Sequence, residues 1–221
     1  MRTASTICLC LLLAVIAIPN GGCTILGFLA SPTWHEQKIP AEYRIKDQQD
    51  RKILVFVDEV SGANVGLTFR RSVAQTFENY LIGRTGVKST NIVSRRGIDY
   101  LRQNRDDFSL MTPAEVGKEL GAGLVLYVLI EDYELYGMTE ESYYRGSLLS
   151  RSVLFDSDTG TIVWPDKKGE PVDAIVELDT NRDSAVQRLA AATARTITNR
   201  LFDCPRDEMK VSDIRDEAYN W

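Results

Sequence analysis

The chain has 221 residues, 44% of them hydrophobic and 26% charged, and a net charge of −5. That composition is globular and excludes wholesale disorder, collagen-like structure and low complexity. With His35 as its one histidine the chain can build no His₂ or His₃ metal site by itself, and no metal or other cofactor is expected.

Met1-Arg2-Thr3 precedes an apolar run from Ile7 to Ile18, which ends in Pro19-Asn20-Gly21-Gly22-Cys23. A basic residue, an apolar run and small residues before a break predict a secretory signal peptide over residues 1–22. As a helix the run reaches about 18 Å, short of the roughly 30 Å hydrocarbon core of a bilayer. An uncleaved anchor continuing through Leu26-Gly27-Phe28-Leu29 stays open as an alternative. Loss of the leader removes Arg2 and no acid, leaving 25 basic and 31 acidic residues and a net charge of −6. Mild acidity argues against a nucleic-acid partner and offers no polybasic membrane patch.

The apolar patch Ile25 to Leu29 suits a membrane surface. Residues 31–51 (SPTWHEQKIPAEYRIKDQQDR) are polar, carry two prolines and lack a helical or strand period. They predict a tether over residues 23–51, in which His35, beside Trp34, reads as solvated rather than as a catalytic base.

A domain is expected to open at Lys52. Ile53-Leu54-Val55-Phe56-Val57 reads as a strand covered on both faces. Leu67, Val73, Phe77 and Leu81 follow at helical spacing, with Gly83 near the stop. Val87 to Val93 can form a second strand, and Ser94 can cap a short helix carrying Ile98 and Leu101. Thr112-Pro113-Ala114-Glu115 predicts a capped helix start, ending at Gly121. Leu124 to Ile130 is the strongest strand in the chain. Tyr143 to Phe155 reads as a long antiparallel strand, Asp156 to Gly160 as a turn, and Thr161 to Trp164 as the return. Val172 to Leu178 adds a strand, and a helix near Ser184 to Phe202 puts Val186, Leu189, Ala190, Thr193, Ile197 and Leu201 on one stripe. Residues 204–221 are expected to form a charged tail. The fold class is therefore α/β in an α+β variant, one domain over 52–203, with a mixed sheet in two or three layers. Its expected order is β-α-β-α-β-β-β(-β)-α.

Four carboxylates are the candidates for ligand binding or catalysis. Leu154-Phe155-Asp156-Ser157-Asp158-Thr159 is similar to the aspartate motif of haloacid-dehalogenase-type phosphatases, in which the first Asp attacks phosphorus and the second is acid/base. That motif follows a first strand and precedes a helix, whereas here a second strand follows at once, so a hairpin turn is the preferred reading. Asp158-Thr159-Gly160 mimics the aspartic-protease triplet but has no second copy. As a calcium loop the segment lacks the closing Glu. Asp58 and Glu59 stand where open α/β sheets collect ligands, although charged residues also simply end buried strands. Gly121-Ala122-Gly123 follows a helix, the wrong order for a phosphate loop. Tyr127, Tyr133, Tyr136, Tyr143 and Tyr144 crowd one region. Tyr133, Tyr136, Tyr143 and Tyr144 are candidates for a partner surface, against the plainer reading of half-buried strand residues.

Gly22-Cys23 at the end of the apolar run resembles a bacterial lipoprotein lipobox, with Asn20 at the position where Leu is usual. The resemblance implies a cut before Cys23 and acylation, including palmitate, on it; ordinary cleavage nearby would leave a plain thiol. Cys8 and Cys10 would leave with the leader, so Cys204 would be the leftover thiol. Without acylation, a Cys23–Cys204 disulfide is the competing idea in an oxidising compartment. Together with Lys52 to Val57, Glu119 to Tyr127, the hairpin Asp156 to Trp164 and the closing helix, the leader resembles a loose group of bacterial envelope lipoproteins. That group includes the curli-secretion channel subunit and LpoB-type activators of penicillin-binding proteins. The layout is also similar to uncharacterised planctomycete-type lipoproteins. No long alternating segment for a membrane-spanning hairpin is evident, which argues against a pore. The resemblance implies a non-enzymatic adaptor or assembly subunit anchored by its N-terminal lipid on the periplasmic side, at the outer rather than the inner membrane. Envelope proteins would be its partners, and a homo-oligomer stays open. The alternatives are a carboxylate-dependent envelope hydrolase and a small-ligand sensor.

Overall fold

A computed structural model of the chain describes residues 38–48, 50–63, 65–138, 143–166, 169–179 and 181–209. The expected signal peptide, Cys23 and His35 lie outside the described residues. In chain order the elements are β1 (Lys38–Ile39), β2 (Ile53–Glu59), α1 (Leu67–Thr85), α2 (Arg96–Asn104), α3 (Pro113–Glu119) and β3 (Leu124–Met138). Then come β4 (Tyr143–Asp156), β5 (Ile162–Trp164), β6 (Val172–Asp179), α4 (Arg182–Thr198) and β7 (Cys204–Pro205).

The two apolar runs that signalled strands lie side by side. β2 pairs with β3 in parallel, Ile53 opposite Leu124 through Glu59 opposite Ile130. A parallel pair needs a crossover, and α1 to α3 supply it. β3 then turns back as β4, and the two stay paired from Leu124–Asp156 to Met138–Tyr143. The far side of β4 carries two short strands end to end: β5 pairs at Leu154 and Phe155, β6 between Tyr144 and Ser150. The result is a mixed five-stranded sheet in an α+β fold.

One face of the sheet is covered along its length. Phe69, Val73, Phe77 and Leu81 of α1 and Leu189, Ala190, Ala194 and Ile197 of α4 pack on Val55, Leu126, Ile130, Leu148 and Ala174. Each fully buried side chain of this size contributes about 1.5–3 kcal/mol. The Ala-rich centre of α4 approaches closely: a Cβ on Gly146 would lie 3.3 Å from Leu189 Cδ1 and 2.7 Å from the Glu134 carbonyl oxygen. Among the described residues the other face is covered over only part of its length, where Ile98 and Leu101 of α2 and Val116 of α3 pack on Leu54, Phe56 and Val125. Here the capping box is formed: Thr112 Oγ1 accepts from the Glu115 N–H, and the Thr112 N–H donates to the Glu115 carboxylate at 2.7 Å. Gly121, with φ +70°, supplies the left-handed stop. Within the described residues the sheet is thus three-layered at one end and two-layered at the other.

Three expectations change. Val87–Val93 is not a strand: it holds a 3₁₀ turn at Ser89–Asn91 and a single parallel bridge, Ile53 to Ile92. Residues 38–48, expected to be tether, fold onto the domain. β1 pairs with β7, Ile45 is 1% exposed, and the Glu42 and Ile45 N–H groups donate to the carbonyls of Arg200 and Leu201. The Trp164 indole N–H donates to Glu42 at 2.8 Å. One apolar anchor with polar neighbours has no period, so the sequence reads as linker, yet among the described residues those packed on the domain reach back before Lys52 as far as Lys38. By the same pairing residues 204–209, expected to be tail, belong to the fold, with Cys204 fully buried as a free thiol.

Candidate functional site

The four candidate carboxylates do not converge. Asp58 lies opposite Leu129 of β3 and Asp156 opposite Leu124. Five residues of extended strand separate those positions, about 17 Å. They form two clusters at opposite ends of β2.

At one end Asp156 closes the β4–β5 turn. Its Oδ1 accepts from the N–H groups of Asp158 (2.9 Å) and Thr159 (3.0 Å), and its Oδ2 accepts from Arg51 Nη1 at 2.8 Å. The Arg51 guanidinium first, with the backbone donors behind it, holds the Asp156 carboxyl down at about 2. Arg51 also donates to the Gly123 carbonyl and lies 3.6 Å from Asp158, which is 77% exposed. Gly123 leaves room for this: a Cβ there would stand 2.8 Å from Arg51 Nε. A carboxylate that accepts from three donors serves as a turn cap and an ion-pair partner. Sequence reasoning placed Arg51 at the end of a tether and so missed it.

At the other end Asp58 accepts from Arg102 of α2 at 2.9 Å and from Arg70 of α1 at 3.4 Å. Glu59 accepts from the Val65 N–H at 2.7 Å and lies 3.5 Å from Arg70. Two further pairs bridge the helices: Arg71 to Asp99 at 2.8 Å and Arg95 to Glu78 at 2.7 Å. Burial pushes the Glu78 carboxyl up, with Arg95 opposing. Arg102 stacks over Phe56 and Phe108, 5.7 and 5.4 Å from their centroids. Tyr127, edge-on to Phe56, is pushed up to about 12 by burial, then by the Asp58 charge. The cavity among the four arginines is about 20 Å³, room for one water and no organic ligand. These pairs strap α1 to α2 beside the edge of β2, an edge otherwise open to foreign strands. The arginines gave no signal in sequence, because each is an ordinary helix-surface residue until the helices meet.

The pleat divides the tyrosines between faces. Tyr133 and Tyr144 pack on the α1/α4 side, Tyr133 against Phe69 with ring centroids 4.2 Å apart. The Tyr133 hydroxyl is buried with no hydrogen-bond partner among the described residues. Tyr136 and Tyr143 point the other way, from the cross-strand pairs Tyr136–Arg145 and Met138–Tyr143. On that face the α2/α3 packing ends at Tyr127 and Phe155. Beyond it lie Tyr136 (57% exposed), Met138 (52%) and the half-buried Tyr143, Leu149 and Ile175. Glu131, Asp132, Glu134 and Asp173 share the region with Arg145 and Arg151, four acids against two bases. Arg151 is engaged by Glu131 at 2.8 Å. Among the described residues the candidate site is therefore an open, acidic sheet face with exposed aromatic and apolar side chains, the composition of a contact surface. Two of the four tyrosines put forward by sequence belong to it.

Among the described residues no group of three or more His, Cys, Asp or Glu side chains is placed to hold a metal ion, and no helix is long and apolar enough to cross a membrane. No family model and no curated protein matches the chain. Solved structures similar to it include a PelC dodecamer from Paraburkholderia phytofirmans, 13% identical over 76% of this chain and 95% of that one, with a TM-score of 0.38. Others are lipoprotein GNA1162 from Neisseria meningitidis (15% identical, 67% and 99% covered, TM-score 0.36) and the LpoB C-terminal domain from Salmonella enterica (17%, 63% and 85%, 0.33). LpoB is one of the resemblances already met in the sequence. Likenesses this distant say nothing of this chain's activity or partners.

Proposed function

We propose that this chain is an exported bacterial envelope lipoprotein, acylated on Cys23 and held on the periplasmic side of the outer membrane. In this reading its domain is a non-enzymatic adaptor that docks another envelope protein on the open face of the β3–β4–β6 end. The observation that carries the docking face is the half-covered sheet: among the described residues, helices cover both faces around Leu54 and Val125 but only one around Tyr136 and Ile175. The Gly22-Cys23 leader supports the anchor. The acidic balance of the face favours a partner with a basic surface. The hydrolase reading gains nothing from the geometry, since its carboxylates sit in two separated clusters with arginine or backbone donors on Asp58, Glu59 and Asp156.

Photo-crosslinking residues placed at Tyr136, Ile175 and, as a control on α3, Lys118 test this in living cells. A discrete adduct from Tyr136 and Ile175 but not Lys118 is expected. Adducts from Lys118 alone would overturn the assignment of the face. Mass spectrometry of the mature N-terminus checks the anchor, and an unmodified Cys23 removes the lipoprotein reading.

A further inference from the structure

Past the end of β2 its neighbour β3 runs on without it. β2 pairs with β3 as far as Glu59 opposite Ile130, yet β3 continues to Met138, bonded to β4 along its other side. The overhang from Glu131 to Met138 is eight residues long, about 26 Å of strand. Backbone groups point alternately to the two sides of a strand, so the outward set can be named. Ile130 turns its carbonyl toward β2, where it accepts from the Val60 N–H at 2.9 Å. The bulge at Glu131 passes that direction to Tyr133, Leu135 and Gly137. The Tyr133 N–H agrees: it donates to Asp132 Oδ1 at 2.9 Å instead of to a strand. Among the described residues nothing pairs with the outward N–H and C=O of Leu135 or Gly137. Asp132, Glu134 and Tyr136, which alternate with them on the open face, are exposed. Glu134 accepts from the Tyr136 hydroxyl, and neither Asp132 nor Glu134 forms an ion pair among the described residues.

We infer that the outer edge of β3 takes an extended segment of a partner protein as an added strand, with basic side chains at alternate positions of that segment. Its main chain supplies the donors and acceptors that Leu135 and Gly137 lack. Successive side chains of an added strand fall on opposite faces. Those on the open side lie beside Asp132 and Glu134, where Lys or Arg completes a cross-strand ion pair. Those on the other side lie beside Tyr133 and Leu135, which pack on the α1/α4 core, so apolar residues suit them. Residues 60–66, which lead away from the end of β2, hold no charged side chain to compete. The edge of β2 differs, because the Arg71–Asp99 and Arg95–Glu78 pairs bridge the helices beside it. A second copy paired at the same edge would bring Glu131, Asp132 and Glu134 of both overhangs together, so like charges disfavour it. Acids that merely keep the edge from pairing with any chain are the competing account. The inference deepens the docking reading of the open face and owes nothing to the acylation of Cys23.

The test follows amide hydrogen exchange by NMR in the whole protein as isolated from cells, with the peptide Lys-Val-Lys-Val-Lys-Val-Lys or its Glu-for-Lys counterpart. In the free protein the Leu135 and Gly137 amides should exchange about tenfold faster than that of Glu134, which faces β4. The lysine peptide should slow both by about tenfold and leave Glu134 unchanged, and the glutamate peptide should do neither. Gly137→Pro removes one outward N–H and spares the ladder to β4. A Cβ there meets only Tyr144 Cε1, at 3.6 Å, so the thermal midpoint should hold while the slowing at Leu135 is lost. Leu135 and Gly137 amides as slow as Glu134 in the free protein overturn the inference, as does a lysine peptide that leaves them unchanged or a slowing undiminished by Gly137→Pro. If the amides fail this test while Ile175, on the far side of β4, still crosslinks in cells, the docking face stands and the added strand does not. Slowing by the lysine peptide without any crosslink at Ile175 sustains the added strand alone.

Discussion

The two ends of one sheet obey different rules. Around Leu54 and Val125 the sheet is packed on both faces, and its strands read ILVFV and LVLYVLI, apolar at every position. Past Ile130 the register shifts at Glu131, helices cover one face only among the described residues, and β3 continues as EDYELYGM, alternating half-buried and exposed residues through Tyr136. A residue at the first end has no solvated side to offer, so any substitution there is a packing event. At the second end the same strand spends alternate residues on the core and leaves the others free for a partner. Stability and recognition are thereby separated along a single strand.

That separation can be broken from either side. The largest effect should come from Leu126→Ala, which empties a fully buried site between α1 and the sheet. A loss of about 2–5 kcal/mol is expected in denaturant unfolding. A smaller loss, about 1–2 kcal/mol near neutral pH, should follow Asp156→Asn, which removes the Arg51 ion pair and weakens the turn cap. Because the Asp156 carboxyl is held at about 2, below its ordinary 3.8, its contribution is complete above the ordinary value and disappears as pH falls through about 2. The difference between wild type and Asp156→Asn should therefore shrink across that window, and a difference that stays constant to low pH would show that the pair is not its source. The smallest effect on stability, within about 0.5 kcal/mol, is expected for Tyr136→Ala. If that substitution destabilises as much as Leu126→Ala, the second end is core and not a docking face.

Much of the fold was legible because its signals are local. The continuous runs of β2 and β3, the Thr112 capping box and the Gly121 stop each depend on neighbours within a few residues. Legibility failed where one long-range contact does the holding: Ile45 and Glu42 carry no period, yet they bring residues 38–48 onto Leu201 and Trp164. Val87–Val93 has strand composition but reaches a neighbouring strand only through Ile92. Of the candidate site, the tyrosine cluster was visible, but the faces to which its members belong were not. The bulge at Glu131 shifts the pairing by one residue, and such a slip exchanges the two faces of a strand.

By itself the sequence determined the long strands β2, β3 and β4, the capped helix, and the absence of a His₂ or His₃ metal site within one chain. Those follow from composition and short-range chemistry. Only the tertiary structure decided that Arg51 clamps Asp156, that Arg70 and Arg102 share Asp58, and that four candidate carboxylates fall about 17 Å apart as two groups. Only it showed where helices stop covering the sheet. Ion pairs and uncovered faces arise from elements distant in the chain, and no periodicity within one element records which neighbour will cover it.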